Sequence, residues 1–155
     1  MKKSVFIIAL LCVIILMTSC KKDPSITQGV YGTVIERYGD WMPGSTADHG
    51  ERPIACEVYV YEYTMLSDFS GGISVNYPID AMPKPFVAKT TSNAKGFYEI
   101  NLAPGTYSIF LLDNGKLTDG GGLDVYGGIT PVTINSTTKL KCNWSWNTPC
   151  IETIN

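Results

Sequence analysis

Residues 86–115 read FVAKTTSNAKGFYEINLAPGTYSIFLLDNG, and this stretch decides the fold class. Turn signals separate three runs rich in β-branched and aromatic residues, at 86–91, 97–102 and 106–112. Gly96 is expected to take the left-handed conformation in the first turn. Pro104-Gly105 is expected to reverse the chain with a positive φ at the glycine. Asn114-Gly115 is expected to form a hairpin turn after the third run. The pattern predicts a meander of three strands.

Apolar and polar residues alternate with a period of two on both sides of this stretch as well. Two further strands are predicted upstream at 29–36 and 56–63, and two weaker ones downstream at 123–126 and 132–142. No segment of 11 or more residues after the first 19 carries a clear 3.6-residue apolar repeat. The sequence therefore predicts an all-β fold, a single antiparallel β-sandwich of about seven strands, prealbumin-like or immunoglobulin-like.

The sandwich is expected to span residues 29–142, followed by a C-terminal tail at 143–155. Two glycine- and proline-rich segments, 38–53 and 66–85, interrupt it and are predicted to be long loops. Loops of that length in a compact domain are usually functional or mobile.

Several short motifs resemble those of the carboxypeptidase regulatory-like domain, a prealbumin-type sandwich. They are TTSNAKGFY at 90–98, LAPGTY at 102–107 and the opening Gly32-Thr33-Val34. Together with GDWMPG at 39–44 and VYVYE at 58–62, they also resemble a group of small envelope lipoproteins over most of residues 29–134. The resemblance implies the sandwich fold and an accessory module, and it assigns no activity.

The first twenty residues resemble a bacterial lipoprotein signal. Met1-Lys2-Lys3 precedes an apolar run from Val5 to Met17, and Thr18-Ser19-Cys20 follows. The run of about 13 residues is shorter than the roughly 20 that a membrane-spanning helix needs. The lipobox-like residues 17–20 imply removal of residues 1–19 and acylation of Cys20, and an ordinary secretory signal with a coincidental cysteine is the alternative.

Acylation of Cys20 implies a cell-envelope protein that contacts a membrane through lipid, with residues 20–28 as a polar tether. Lys21, and not Asp, follows the acylated position, which favours the outer membrane. The 12 Lys and Arg residues against 14 Asp and Glu give a net charge of −2. No basic cluster lies beyond Lys21-Lys22, so nucleic acid is not an expected partner.

The chain lacks the residue sets of familiar hydrolases. His49 is its one histidine, whereas a catalytic zinc site needs about three N, S or O ligands. No Gly-x-Ser-x-Gly elbow occurs. A pair of His49 with Cys56 is conceivable, but Cys56 is expected to be buried or disulfide-bonded. We expect a non-enzymatic protein with no catalytic residues, no metal site and no cofactor.

Two further questions stay open at this stage. Asp113, Asp119 and Asp124 bracket a glycine-rich loop, and their spacing departs from the EF-hand pattern, so calcium binding by this loop is undecided. The cysteines outside the leader other than Cys20 are Cys56, Cys142 and Cys150. An oxidising compartment favours one disulfide. Cys142–Cys150 is the most local pairing, and a bridge from Cys56 to either is the alternative.

One strand carries a row of aromatic side chains. Tyr59, Tyr61 and Tyr63 alternate with Val58 and Val60, so the three tyrosines face the same way. This row, together with Trp41, is a candidate binding surface for a protein or a sugar. The other interpretation is that segment 66–85 covers the row. If the tail folds near segment 38–53, Trp41, Trp144 and Trp146 are expected to form one patch.

These observations predict a lipid-anchored, non-enzymatic interaction or structural accessory module of the cell envelope, partnered by an envelope protein. The alternative is a glycan-binding lipoprotein of a polysaccharide uptake system.

Overall fold

The computed structural model describes residues 23–44, 46–70, 76–119, 122–145 and, for the backbone alone, 148–153. These residues form an all-β sandwich of two sheets, which confirms the predicted fold class. The described ranges hold eleven strands, and about seven were predicted. They are β1 (Gly29–Gly39), β2 (His49–Pro53), β3 (Glu57–Glu62), β4 (Asn76–Pro78), β5 (Phe86–Thr91), β6 (Phe97–Asn101), β7 (Gly105–Asp113), β8 (Lys116–Thr118), β9 (Pro131–Ile134), β10 (Lys139–Ser145) and β11 (Thr148–Thr153).

The first sheet is built around β1. Its strand order is β11-β10-β1-β2, and β6 also pairs with β1. β10 runs parallel to β1, with Val34 opposite Trp144. The other pairs between these strands are antiparallel.

The second sheet has the order β4-β8-β7-β3-β5, and β9 also pairs with β7. β3 lies between two antiparallel neighbours, so that Tyr59 stands opposite Lys89 of β5 and Phe110 of β7. β5 is the terminal strand of this order.

The main core lies between the two sheets. Because side chains alternate between the two faces of a strand, Val58 and Val60 of β3 and Ile109 of β7 point toward the first sheet. There they belong to one cluster with Val34 and Trp144, and each of the five side chains is at most 1% exposed. Burial of this apolar surface is the main force that holds the two sheets together.

The outer face of the second sheet is buried as well. Tyr59, Tyr61 and Phe110 point outward and pack with Tyr77 of β4 and Leu117 of β8 on the same face of the sheet and with Ile129 of the connection before β9. Leu66, Phe69, Met82 and Leu112 lie at the margin of this cluster. The covering segments include short 3₁₀ turns at Leu66–Asp68 and Ile79–Ala81. The tyrosine row is therefore covered at Tyr59 and Tyr61, which are 8% and 3% exposed.

The predicted meander is wrong. β5 pairs with β3 in the second sheet, β6 pairs with β1 in the first, and β7 returns to the second. The two turns between these strands thus connect sheets and do not close hairpins. A turn signal specifies that the chain reverses, but the partner of each strand depends on which face it buries.

Two of the three turn predictions agree with the backbone. Gly96 has a φ of 74°, and Asn114 and Gly115 have φ values of 46° and 78° at the β7–β8 hairpin. Gly105 is not among the glycines with positive φ, because it begins β7 in an extended conformation opposite Ile134.

Several strand boundaries also differ from the prediction. Residues 123–126 contribute only an isolated bridge at Leu123, and segment 132–142 divides into β9 and β10. Segment 38–53, expected as a loop, contains β2, and segment 66–85 contains β4. Residues beyond 142, expected as a tail, instead complete β10 and form β11, which pairs with β10 in the first sheet.

The segment expected as a tether lies against the sandwich from Ser25 onward. Ser25 donates hydrogen bonds from its backbone N and its Oγ to the Glu99 carboxylate, at 2.7 and 2.6 Å. Ile26 is buried, and Gln28 Nε2 donates to the Leu102 carbonyl at 2.7 Å. Among the residues described, no helix has the length and apolar character needed to cross a membrane.

Gly32 provides a test of the parallel contact between β1 and β10. A Cβ at this position would overlap the Cys142 backbone carbonyl, so Gly32→Ala must push the strands apart. We expect a loss of about 3 kcal/mol in unfolding free energy, the upper end of overpacking effects, measured by urea denaturation.

Gly105→Ala is the matched control for this measurement. The nearest atom to a Cβ there is the movable Tyr107 hydroxyl, at 3.1 Å, and we expect a change below about 1 kcal/mol. Equal losses in the two variants would contradict the tight β1–β10 contact.

Candidate functional site

An open groove of about 420 Å³ lies on the outer face of the second sheet, where the covering segment meets β3 and β5. We call it the Phe86 groove. Three aromatic, two aliphatic and two cationic side chains line it: Tyr59, Tyr61, Phe86, Ile79, Met82, Lys84 and Lys89. Two of the four residues predicted as a binding surface, Tyr59 and Tyr61, thus form part of its wall.

Phe86 provides most of the accessible aromatic surface in this groove. Its ring is 54% exposed and makes edge contacts with Tyr59 and Tyr61, at centroid distances of 6.1 and 5.8 Å. Such T-shaped contacts are favourable for aromatic pairs, and here they fix the ring in one place. The nearly buried tyrosines therefore act mainly as the support on which Phe86 rests.

A β-bulge places Phe86 in the groove. Val60 pairs with Ala88, but Tyr61 pairs with Phe86, so Val87 is the extra residue in β5. Without the bulge, Phe86 would share the inward face of Ala88, which packs against the main core. Bulges commonly re-aim a side chain in this way, and no sequence signal reveals this one.

One end of the groove carries a charged network. Lys89 Nζ lies 2.8 Å from Glu57 Oε1, and the Tyr59 hydroxyl donates to Glu57 Oε2 at 3.0 Å. The hydrogen bond from Lys89, followed by that from Tyr59, lowers the pKa of Glu57, and the bond to Glu57 raises the pKa of Lys89. Both groups are therefore charged at neutral pH.

A second ion pair involves the other lysine of the groove. Lys84 Nζ lies 3.1 Å from Asp68 Oδ1, and the Met65 backbone N–H donates to Asp68 Oδ2 at 2.8 Å. The Met65 hydrogen bond, with a further contribution from Lys84, lowers the pKa of Asp68. Each lysine of the groove thus has an ionised carboxylate beside it.

Tyr63, the third tyrosine of the row, has a different role. Its hydroxyl donates to Asp124 Oδ2 at 2.9 Å, while Asp124 Oδ1 accepts from the backbone N–H groups of Tyr126 and Gly128 at 2.8 and 2.7 Å. Burial opposes ionisation of Asp124, but these donors, led by Gly128, lower its pKa. The carboxylate therefore fixes the turn at residues 123–128.

We call these residues the Tyr126 turn, and their apolar side chains face solvent. Leu123 is 48% exposed, Val125 92% and Tyr126 83%. An exposed apolar cluster on a turn held by a charged hydrogen-bond acceptor is typical of an interaction surface. The alternation at 123–126 predicts a weak strand here, and the turn takes its place.

Within the described ranges, no group of three or more His, Cys, Asp or Glu side chains is placed to hold a metal ion. The three aspartates around the glycine-rich loop, for which calcium binding was left undecided, have separate contacts. The Asn114 side chain donates to Asp113 at 2.7 Å, the Tyr77 hydroxyl donates to buried Asp119 at 3.3 Å, and Asp124 holds the Tyr126 turn.

Trp41 lies on the β1–β2 connection of the other sheet and is 46% exposed. The Arg37 guanidinium lies 4.2 Å from its ring centroid and the His49 ring 4.8 Å away. Trp144, expected to join it in a patch, is buried in the main core because it points inward from β10. Trp146 lies outside the described residues.

Cys56 is a free, buried thiol whose Sγ donates to the Leu112 carbonyl at 3.3 Å. Burial, with smaller contributions from Asp113 and Glu57, raises its pKa to about 11. Since the thiolate is the reactive form, Cys56 is protonated at neutral pH and is not an activated nucleophile.

Cys142 is disulfide-bonded, and the free state of Cys56 excludes Cys56 as its partner. Cys150 belongs to β11, but its side chain lies outside the described residues, so the Cys142–Cys150 pairing stays a prediction. Cys20 also lies outside those residues.

Compared with models of known protein families, with curated proteins and with solved structures, the chain shows no match. The resemblance to carboxypeptidase regulatory-like lipoproteins therefore remains an expectation drawn from the sequence.

The raised pKa of Cys56 can be tested by thiol alkylation of a leaderless fragment, residues 21–155. The pKa rises from 9.0 to about 11, so at pH 8 the folded protein should carry roughly 100-fold less thiolate than the unfolded chain. We expect iodoacetamide labelling to be slower by at least that factor and to accelerate between pH 9 and 11. Cys56→Ser should abolish the labelling, and equal rates in folded and unfolded protein would contradict the assignment.

Proposed function

We propose that this protein is a lipid-anchored, non-enzymatic interaction module of the cell envelope. The observation that carries the proposal is the Tyr126 turn, which holds Leu123, Val125 and Tyr126 toward solvent on a carboxylate-fixed backbone. A protein interface concentrates its binding energy in a few such residues, and tyrosine is enriched among them. Because the turn is already fixed, a partner orders little chain when it binds.

The lipid anchor rests on the lipobox-like residues before Cys20 and on the position of the following segment. Among the residues that the structure describes, Ser25 is the first whose side chain hydrogen-bonds to the sandwich. The chain from Cys20 to Ser25 reaches at most about 18 Å when fully extended. An acyl group on Cys20 would therefore hold the sandwich close to the membrane surface, with the outer membrane favoured by the absence of Asp after Cys20.

The non-enzymatic assignment has support from the two groups considered for nucleophilic chemistry. Cys56 keeps its proton at neutral pH. His49 packs against Trp41 and has its Nδ1 3.1 Å from the Ala47 carbonyl, a contact that orients the ring within its own loop.

Acylation is tested by expressing the full chain in a bacterium fed an alkyne-labelled palmitate. We expect label on the wild type, loss of label with Cys20→Ala, and retention with the control Cys56→Ala. Intact-mass measurement should show a chain that begins at Cys20. An unmodified Cys20 within an uncleaved leader would contradict the anchor.

The interaction surface is tested by photo-crosslinking in cells with a benzophenone amino acid at position 125. We expect a discrete adduct with an envelope protein, lost when Tyr126→Ala is combined with the probe. A probe at Asn114, which is exposed on the β7–β8 turn, is the control and should give no such adduct. The same adducts from both positions, or an adduct unaffected by Tyr126→Ala, would count against the turn as the contact.

A further inference from the structure

We infer that the Phe86 groove binds a neutral sugar residue of a glycan. The inference deepens the proposed function and rests on it for the location of the groove outside the cytoplasm. The Phe86 groove and the Tyr126 turn are separate features with separate lining residues, so their ligands can be tested independently.

The size of the groove is compatible with a small ligand. Its volume of about 420 Å³ lies within the usual range of small-molecule sites, roughly 300–1,000 Å³.

The apolar part of the groove matches one face of a pyranose ring. Phe86 presents a flat ring, with Ile79 beside it in the lining, and both are exposed at 54% and 39%. A sugar ring has a flat face of C–H groups, which loses contact with water when it lies on an aromatic ring. The edge contacts with Tyr59 and Tyr61 hold Phe86 in place before any ligand arrives.

The polar part of the groove matches hydroxyl groups. A hydroxyl both donates and accepts a hydrogen bond, and it therefore needs a donor and an acceptor close together. Lys89 with Glu57, and Lys84 with Asp68, each place an ammonium within 3.1 Å of a carboxylate. Of these four groups only the two ammonium groups line the groove, together with Tyr59, so sugar hydroxyls accept from Lys84 or Lys89, and the two carboxylates hold these lysines in place.

The charge balance selects a neutral ligand over an ionic one. The two ammonium groups and the two carboxylates carry no net charge together, and each ion is already compensated by its partner. An anionic ligand attracted by Lys84 or Lys89 would be repelled by Asp68 or Glu57. A neutral, hydroxyl-rich ligand makes charge-assisted hydrogen bonds at both pairs without that repulsion.

The test is a calorimetric titration of the leaderless fragment 21–155, which contains the whole described sandwich. The probes are four neutral trisaccharides (maltotriose, cellotriose, xylotriose and mannotriose), the acidic trigalacturonate and an acidic peptide, hexaglutamate. We expect binding of at least one neutral trisaccharide, and affinity for it at least 10-fold above that for either acidic probe.

Variants locate the binding in the groove. Phe86→Ala should weaken binding about 10-fold or more, and Phe86→Trp should retain it, since the larger ring keeps the platform. Val87→Ala is the matched control, because Val87 is the neighbouring exposed residue of the bulge and does not line the groove. It should leave affinity within 2-fold of wild type. Circular dichroism of each variant checks the fold.

The inference is overturned by failure of all four neutral trisaccharides to bind, by stronger binding of trigalacturonate or hexaglutamate, or by binding that Phe86→Ala leaves unchanged. If no sugar binds but the probe at the Tyr126 turn gives a crosslink, the sugar site is disproved and the proposed interaction module stands. Sugar binding by a chain whose Cys20 is never acylated supports the groove and contradicts the anchor.

Discussion

The second sheet buries apolar side chains on both of its faces, and most features of this protein follow from that constraint. β3 and β7 alternate between inward aliphatic residues such as Val58 and Ile109 and outward aromatic ones such as Tyr61 and Phe110. The inward set is covered by the first sheet. No third sheet lies over the outward set in the described residues, so connecting segments must fold across it to exclude water.

That cover explains why the connections around the second sheet are long. Ile129 before β9 supplies a fully buried side chain of the cover, and Leu66, Phe69 and Met82 add partly buried ones. Tyr77 of β4 and Leu117 of β8 instead extend the outward face of the sheet itself. The cover ends near β5, the last strand of the sheet, and leaves Phe86 half exposed beside two ion pairs. The groove thus lies at the margin of the apolar cluster on the outer face of the second sheet. The Tyr126 turn lies at another edge of the same cover, where the Tyr63 hydroxyl of the sheet donates a hydrogen bond to Asp124.

The two candidate surfaces share a physical property. In each, an exposed aromatic ring is carried by a part of the molecule that is already fixed: Phe86 by its contacts with two tyrosines, and Tyr126 by a turn whose backbone N–H groups bond to Asp124. Rigid aromatic groups lose little conformational entropy on binding, which makes them effective contact residues. The interpretation of both surfaces as binding sites rests on this combination of exposure and rigidity.

The sequence by itself determined the all-β class, the strands β1, β3, β5, β6 and β7, and the left-handed turn residues Gly96 and Gly115, because period-two alternation and positive φ are local properties. The proposed lipoprotein signal and the proposed acylation of Cys20 also rest on the sequence alone. The assignment of β5 and β6 to different sheets, the burial of Trp144 and the cover over Tyr59 and Tyr61 were decided only by long-range packing. Phe86 is the clearest case. Simple alternation places its side chain on the inward face of β5, and the extra residue Val87 turns it to the outward face. That bulge exists only in the pairing of β5 with β3, two strands with 23 residues between them in the chain, and the sequence of neither strand reveals it.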